Sequence, residues 1–213
     1  MKYIAALFVG LFSFSSVVAD SNTAYDTSLS FLNKERVAMS GSSGSGWYFT
    51  PHVGMNMISN TATEGFTIKF DQGISFGGGF GVEFQQGLAF QFDFGYIRND
   101  VDELVNDTTN VTSAPDIEYT QIPFIFNLIW TPSNQPDVQP YFGLGIGAIR
   151  GNYESNAFIS SDEEWGLAGR VQIGLQIDLS TTSNLSMGYT FTLANYDDSI
   201  DNHTIGIGFQ FGF

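Results

Sequence analysis

Thr204-Ile-Gly-Ile-Gly-Phe-Gln-Phe-Gly-Phe213, the last ten residues of the chain, decides how the rest is read. Ile205, Ile207, Phe209, Phe211 and Phe213 alternate with Thr204, Gly206, Gly208, Gln210 and Gly212. Successive side chains of an extended strand point to opposite faces, so this stretch has one large apolar face and one small or polar face. Working back from it, Leu185, Met187, Tyr189, Phe191 and Leu193 alternate with Ser186, Gly188, Thr190 and Thr192. Val171, Ile173, Leu175 and Ile177 likewise alternate with Arg170, Gln172, Gln176 and Asp178. Segments 47–57, 74–84, 88–96, 122–130 and 142–148 repeat the pattern, which predicts an all-β fold of eight strands.

Charge placement indicates which face meets protein and which meets the surroundings. The apolar faces carry Phe90, Phe92, Phe94, Phe124, Phe126, Phe209 and Phe211 without a charged interruption. The opposite faces hold Glu83, Asp93, Arg170 and Asp178 among glycines such as Gly77, Gly79, Gly81, Gly143, Gly145, Gly147, Gly206 and Gly208. A sandwich or lipocalin-like barrel in water would turn the large residues inward. A barrel wall in lipid does the reverse, because charge is costly against hydrocarbon and tolerated in the lumen. The interior of an eight-stranded barrel has room only for side chains, so glycines there make space for large polar neighbours. The expectation is therefore an eight-stranded antiparallel up-and-down transmembrane β-barrel.

The connections give a second argument. Those at 60–73, 97–121, 149–165 and 194–203 are long or polar, whereas those at 85–87, 131–139 and 180–184 are tight or rich in Pro, Asn and Ser. Short turns at one end and long loops at the other are the habit of membrane barrels. Trp47, Trp130, Trp165 and Tyr196 fall near strand ends, where interfacial aromatic belts are expected.

Composition agrees with this reading. The chain has 213 residues, no cysteine, 24 glycines, 43% hydrophobic residues and a formal net charge of -15. A cysteine-based zinc site, a disulfide framework and thiol chemistry are excluded. The negative charge opposes a phosphate backbone, so nucleic acid is not an expected partner. Low charge content with many aromatics excludes a disordered acidic chain. Lys2 followed by an apolar run to Phe14, with Val17-Val18-Ala19 before Asp20, reads as a signal peptide over 1–19. A membrane anchor is the competing reading, against which the run is shorter than the roughly 20 residues that a spanning helix needs. Residues 20–46 include Gly41-Ser-Ser-Gly-Ser-Gly46 and read as a flexible N-terminal periplasmic segment, with a short capping helix around Phe31 to Val37 as the other possibility. The barrel domain is expected over 47–213 of an exported, monomeric chain.

The terminal strand ending at Phe213, the stretch Ile122-Pro-Phe-Ile-Phe-Asn-Leu-Ile-Trp130, and Pro140-Tyr-Phe-Gly-Leu-Gly-Ile-Gly147 after a Pro-rich turn resemble the small bacterial outer-membrane β-barrels. The opacity-protein-like, outer membrane protein beta-barrel domain group is the nearest in pattern, and the resemblance covers roughly residues 46–213. It implies an outer-membrane location among lipid and lipopolysaccharide. It also implies engagement of the barrel-assembly machinery through Phe209, Phe211 and Phe213. No activity is fixed by it, since barrels of this kind serve as adhesins, envelope anchors and small channels.

Chemistry has few candidates. Arg170 is the one basic residue placed inside, with Glu83, Asp93 and Asp178 as carboxylates to surround it and His52, Gln91, Gln172 and Gln176 as further lumen polar groups. Two readings are open: a salt-bridge network that plugs the lumen, or a gate in which Arg170 exchanges partners. His203 is expected at a loop edge, and its nearness to Ser199 and Thr204 in sequence does not make a hydrolytic triad. Gly77-Gly-Gly-Phe-Gly81 lies within a strand pattern and lacks the Lys and helix of a phosphate loop. Acidic groups cluster in the expected loops, at Asp100, Asp102, Glu103 and Asp107, at Glu154, Asp162, Glu163 and Glu164, and at Asp197, Asp198 and Asp201. They suit either a solvated repulsive surface or divalent cations that bridge to lipopolysaccharide phosphates. No metal site, cofactor or enzymatic activity is expected. The sequence points to envelope structure or surface-loop interaction of an adhesin-like kind, with a narrow porin-like channel for small or apolar solutes, gated by the inward charges, as the alternative.

Overall fold

The computed structural model describes residues 46–213, apart from 64–65, 85–86, 107–108, 110–111, 114–116, 133–137, 156–157, 181 and 197–198. The expected signal peptide and the 20–46 segment, except Gly46, lie outside the described residues. The strands in chain order are β1 (Gly46–Ile58), β2 (Thr61–Thr63), β3 (Phe66–Phe70), β4 (Gly73–Glu83), β5 (Leu88–Asn106), β6 (Thr112–Ser113), β7 (Ile117–Trp130), β8 (Val138–Ser155), β9 (Phe158–Asp178), β10 (Ser183–Asn195) and β11 (Ser199–Gly212).

Eight of them close a ring. β1 pairs with β4, and each of β4, β5, β7, β8, β9, β10 and β11 pairs antiparallel with the next, until β11 returns to β1. Closure satisfies every strand edge within the sheet, which is what allows extended backbone to sit in hydrocarbon. At one end the turns are tight. Gly87 takes the left-handed backbone (φ 74°) between β4 and β5, where Phe84 N donates to Leu88 O at 2.7 Å. A Cβ there would collide with Thr131 O, the carbonyl of the neighbouring turn, so glycine is required twice over. The chain's closure lies at this same end, with Phe213 N donating to Trp47 O at 3.0 Å.

The opposite end, the rim, differs from expectation. Much of what reads as loop is strand: β5 runs on to Asn106, β7 starts at Ile117, and β8 and β9 continue to Ser155 and from Phe158. Asp100, Asp102 and Glu103 therefore stand on a β-ladder, as do Glu163, Glu164 and Asp201, while Asp107, Asp197 and Asp198 lie outside the described residues. Polar residues on both faces remove the alternation that marks a strand, yet the backbone ladder forms regardless because its hydrogen bonds do not depend on side chains. β2, β3 and β6 add a small sheet on the outer part of β5, with β3 opposite Val101 to Asn106 and β6 opposite Leu104 and Val105. Lys69 donates to Glu103 at 2.7 Å across this sheet, and that contact raises the lysine pKa above its ordinary value.

Burial follows the inside-out pattern. Val53, Met55, Phe76, Phe90, Phe126, Leu144, Ile146, Leu167 and Ile207 are exposed on the outer wall, whereas Gln91, Asp93, Asn99, Gln121, Asn127 and Thr192 are buried. Aromatic rings pack near both ends of the wall: Trp47 stacks on Phe80 at 5.2 Å and Trp130 on Phe142 at 6.2 Å on the turn side, and Phe124 on Trp165 at 6.1 Å toward the rim. Tyr196 is a correction. It turns inward, packing against the buried cluster of the lumen and accepting a hydrogen bond from Gln121 Nε2 at 3.4 Å, instead of joining a belt.

Candidate functional site in the barrel lumen

Alternation along β5 sends Ala89, Gln91, Asp93, Ile97 and Asn99 inward. On β9 the same parity places Ala168, Arg170, Gln172, Gln176 and Asp178 on the lumen side, out of phase with Leu167, Val171, Ile173 and Leu175 on the exposed wall. β5 and β9 are separated by β7 and β8 in the ring, so their inward side chains meet across the lumen. Arg170 Nη1 donates to Asp93 Oδ2 at 2.5 Å, and both side chains are 9% exposed. Arg170 Nε also donates to Thr192 Oγ1 at 3.2 Å on the adjacent β10. The second oxygen of Asp93 lies 3.7 Å from His52 Nδ1, an electrostatic approach beyond hydrogen-bond length.

Glycines make room for the large polar and aromatic groups around this pair. Gly145 on β8 stands opposite Arg170, and Gly79 on β4 stands opposite Asp93. A Cβ on Gly79 would strike the Gln91 amide, and one on Gly143 the Gln172 side chain. Tyr48 lies over Gly81 in the same way, and Tyr141 over Gly174 and Gly188. Gln91, Gln172, Tyr48 and Tyr141 thus each rest on a glycine of another strand.

The remaining expected carboxylates are placed elsewhere. Asp178 lies eight residues beyond Arg170 on β9, roughly 26 Å along the strand, and it accepts from Gln139 Nε2 at 3.2 Å. Gln176 stands near it, opposite Gln139 and Ser186. Glu83 is at the turn end of β4, opposite Gly46 and Ala89. So the inward charges divide into a central pair and groups near the turn end, and do not form one ring around Arg170. Sequence could not show this, because a shared face does not fix a shared depth.

Two features were not foreseen. Asn56, Asn99 and Asn202, from β1, β5 and β11, are essentially inaccessible and bonded together. Asn56 Nδ2 donates to Asn99 Oδ1 at 2.8 Å and to Asn202 Oδ1 at 3.3 Å, and Thr204 Oγ1 donates to Asn56 Oδ1 at 2.7 Å. Asn99 Nδ2 in turn donates to Asp71 O at 2.9 Å. Asn56→Leu is expected to lower the unfolding free energy in detergent by at least one unsatisfied-group penalty, about 1–3 kcal/mol. A urea midpoint equal to wild type would show the cluster to be unimportant.

The second is an apolar layer that begins level with the ion pair, where Ile125 is the ladder partner of Asp93, and continues on its rim side. Ile58, Tyr119, Ile125, Ile149, Ala168, Ala194 and Ile200 form one buried cluster, with Phe70, Tyr153 and Tyr196 packed against it. Ala168 and Ala194 are a ladder pair, one inward step rimward of Arg170 and Thr192. These residues sit on faces where the sequence pattern leads one to expect polar groups, and several belong to the strand extensions read as loops.

His203 is also relocated. It lies within β11, opposite Met57 and Phe191, and faces the outer wall. Its ring nitrogens meet Tyr189 OH at 2.6 Å and Ser59 Oγ at 3.2 Å. Of its sequence neighbours, Ser199 bonds Asn195 and Thr204 turns inward to Asn56.

A family model described as the outer membrane protein beta-barrel domain matches residues 5–213. No curated protein matches the chain significantly. Among solved structures, Neisserial surface protein A (NspA) is 16% identical with a TM-score of 0.60, covering 80% of this chain and 99% of that one. The outer membrane protein OprG from Pseudomonas aeruginosa is 16% identical with a TM-score of 0.57, covering 81% of this chain and 98% of that one. At such identity the likeness is one of fold.

Proposed function

The chain belongs to the outer membrane protein beta-barrel domain family, and on that premise we propose that it is a monomeric, non-enzymatic barrel whose work is done at its rim, by surface interaction of an adhesin-like kind. The observation that carries this reading is the filled lumen. The buried Arg170–Asp93 pair crosses the barrel, and an apolar cluster that begins at Ile125, beside Asp93, continues rimward through Ile149. A water path would have to pass both. What remains for partners is the outer wall, in contact with lipid and lipopolysaccharide, and the sheet of β2, β3, β5 and β6 with its acidic residues. The closing strand supports a further role at assembly: Phe211 and Phe213 are exposed, and the last residue is tied to Trp47. Phe209, Phe211 and Phe213 would be the groups that the assembly machinery reads.

The test is adherence. Bacteria displaying the chain on an otherwise unchanged surface are compared with bacteria displaying a variant in which residues 61–70, which hold β2 and β3, are replaced by a two-residue turn. A several-fold fall in adherence to host-cell monolayers, at equal surface amounts, is the expected result. Equal adherence would discard the rim role and leave envelope structure alone. The alternative, a narrow channel gated by Arg170, draws support from one feature: Arg170 bonds both Asp93 and Thr192, so it has a polar partner to hold when it releases the carboxylate.

A further inference from the structure

The lumen does not use His203, and its surroundings on the outer wall form a second polar site. Directly turnward of it is an apolar groove of about 750 Å³ spanning β1, β4, β9, β10 and β11, lined by Val53, Met55, Met187, Tyr189, Ile205 and Ile207 among others. Gly54, Gly174, Gly188 and Gly206 form its shallow floor, consecutive partners across β1, β11, β10 and β9. Ile205 pairs with Tyr189 and Met55, and the next outward position on β11 is His203, so the groove runs straight into the Ser59, His203 and Tyr189 group.

The direction of the hydrogen bonds says what this group does. A phenol is the better acid and an imidazole the better base, so the proton between Tyr189 and His203 is assigned to Tyr189, which donates to Nδ1. Neutral His203 then carries its proton on Nε2 and donates it to Ser59 Oγ. Ser59 thus has its oxygen occupied and its hydroxyl proton free to donate outward. A nucleophilic serine needs the reverse, an imidazole lone pair that accepts its proton. The relay therefore ends in a donor.

We propose that Ser59, held by His203 and Tyr189, together with the apolar groove below it, binds one ester-linked acyl chain of a membrane glycerophospholipid, with the acyl chain in the groove and the ester carbonyl oxygen accepting from the Ser59 hydroxyl. The neighbouring charge favours a zwitterionic lipid over multiply phosphorylated lipid A. All four described basic side chains already have carboxylate partners, Lys69 with Glu103, Arg98 with Glu118, Arg150 with Glu163 and Arg170 with Asp93. Asp201 lies two residues from His203 on the same strand, and its carbonyl accepts from Ser59 N at 3.0 Å. This site is independent of the rim function.

Native mass spectrometry of the detergent-solubilised mature chain tests it, using added phosphatidylethanolamine in its diester form and in a diether form that lacks the carbonyls. Wild type is expected to retain the diester several-fold better, and Ser59→Ala to abolish that preference while keeping the heat-modifiable gel shift of a folded barrel. Tyr189→Phe, which removes the donor to His203, is expected to reduce it. Equal retention of the two lipids by wild type, or an undiminished preference in Ser59→Ala, would overturn the proposal. Preferential retention of lipid A would overturn the assigned lipid, and fatty-acid release that stops in Ser59→Ala would overturn the donor role.

Discussion

Arg170→Ala is expected to destabilise the folded barrel by about 3–5 kcal/mol, because it leaves the Asp93 carboxylate buried without its cation. The size follows from burial: Asp93 is 6% exposed, its Oδ2 is held by Arg170 and its Oδ1 has only His52 at 3.7 Å. An exposed pair of the same geometry would be worth at most about 1 kcal/mol. Removing both charges is a different experiment. Arg170→Met combined with Asp93→Leu replaces the pair by apolar groups of similar volume, beside the existing layer of Ile125 and Ala168, and is expected to recover most of the loss. Urea unfolding in detergent micelles, followed by tryptophan fluorescence and by the gel shift between unboiled and boiled protein, gives the free energies. Should Arg170→Ala match wild type, the pair is not the structural brace described above.

Ile146→Arg is the second large effect, expected at about 2–4 kcal/mol in a bilayer. Ile146 is 71% exposed on the outer wall of β8, between Phe142 on the turn side and Arg150 toward the rim. In water such a substitution would be nearly neutral, since an exposed arginine is well hydrated. In hydrocarbon the guanidinium must be desolvated or must snorkel. Unfolding in phospholipid vesicles measures the cost. An arginine at the rim side of the same strand already exists: Arg150, bonded to Glu163. The contrast between 146 and 150 locates the edge of the lipid zone. A variant at 146 as stable as wild type would contradict a lipid-facing wall.

The membrane-spanning parts of the barrel were legible because two constraints act there together. Lipid outside demands large apolar residues such as Phe90 and Ile207, and a narrow lumen demands small or polar ones such as Gln91 and Gly206. Alternation is the necessary result. Beyond the lipid zone the first constraint lapses, so Asn99, Asp100 and Glu118 carry no periodic signal although they stand on continuing ladders. The same lapse hid the rimward apolar cluster, whose Ile149 and Ala168 are inward residues facing no hydrocarbon.

The site was half legible. Arg170 and Asp93 were conspicuous as charges inside strongly alternating strands, and they do meet. Their depth relative to Glu83 and Asp178 depends on the stagger between strands, which no single strand records. Contacts such as Asn56 with Asn202 and Ser59 with His203 join residues more than 140 apart in the chain. Only the closure of β1 on β11 brings them together.

Planar-bilayer conductance of refolded residues 20–213 tests the filled lumen most directly, recorded beside Arg170→Ala with folding confirmed by the gel shift. Wild type is expected to be silent, and the variant to stay silent, since the cluster of Ile58, Ile125, Ile149 and Ile200 remains in place without the ion pair. Discrete openings in wild type, growing in the variant, would contradict a closed lumen and make the barrel a channel gated by Arg170.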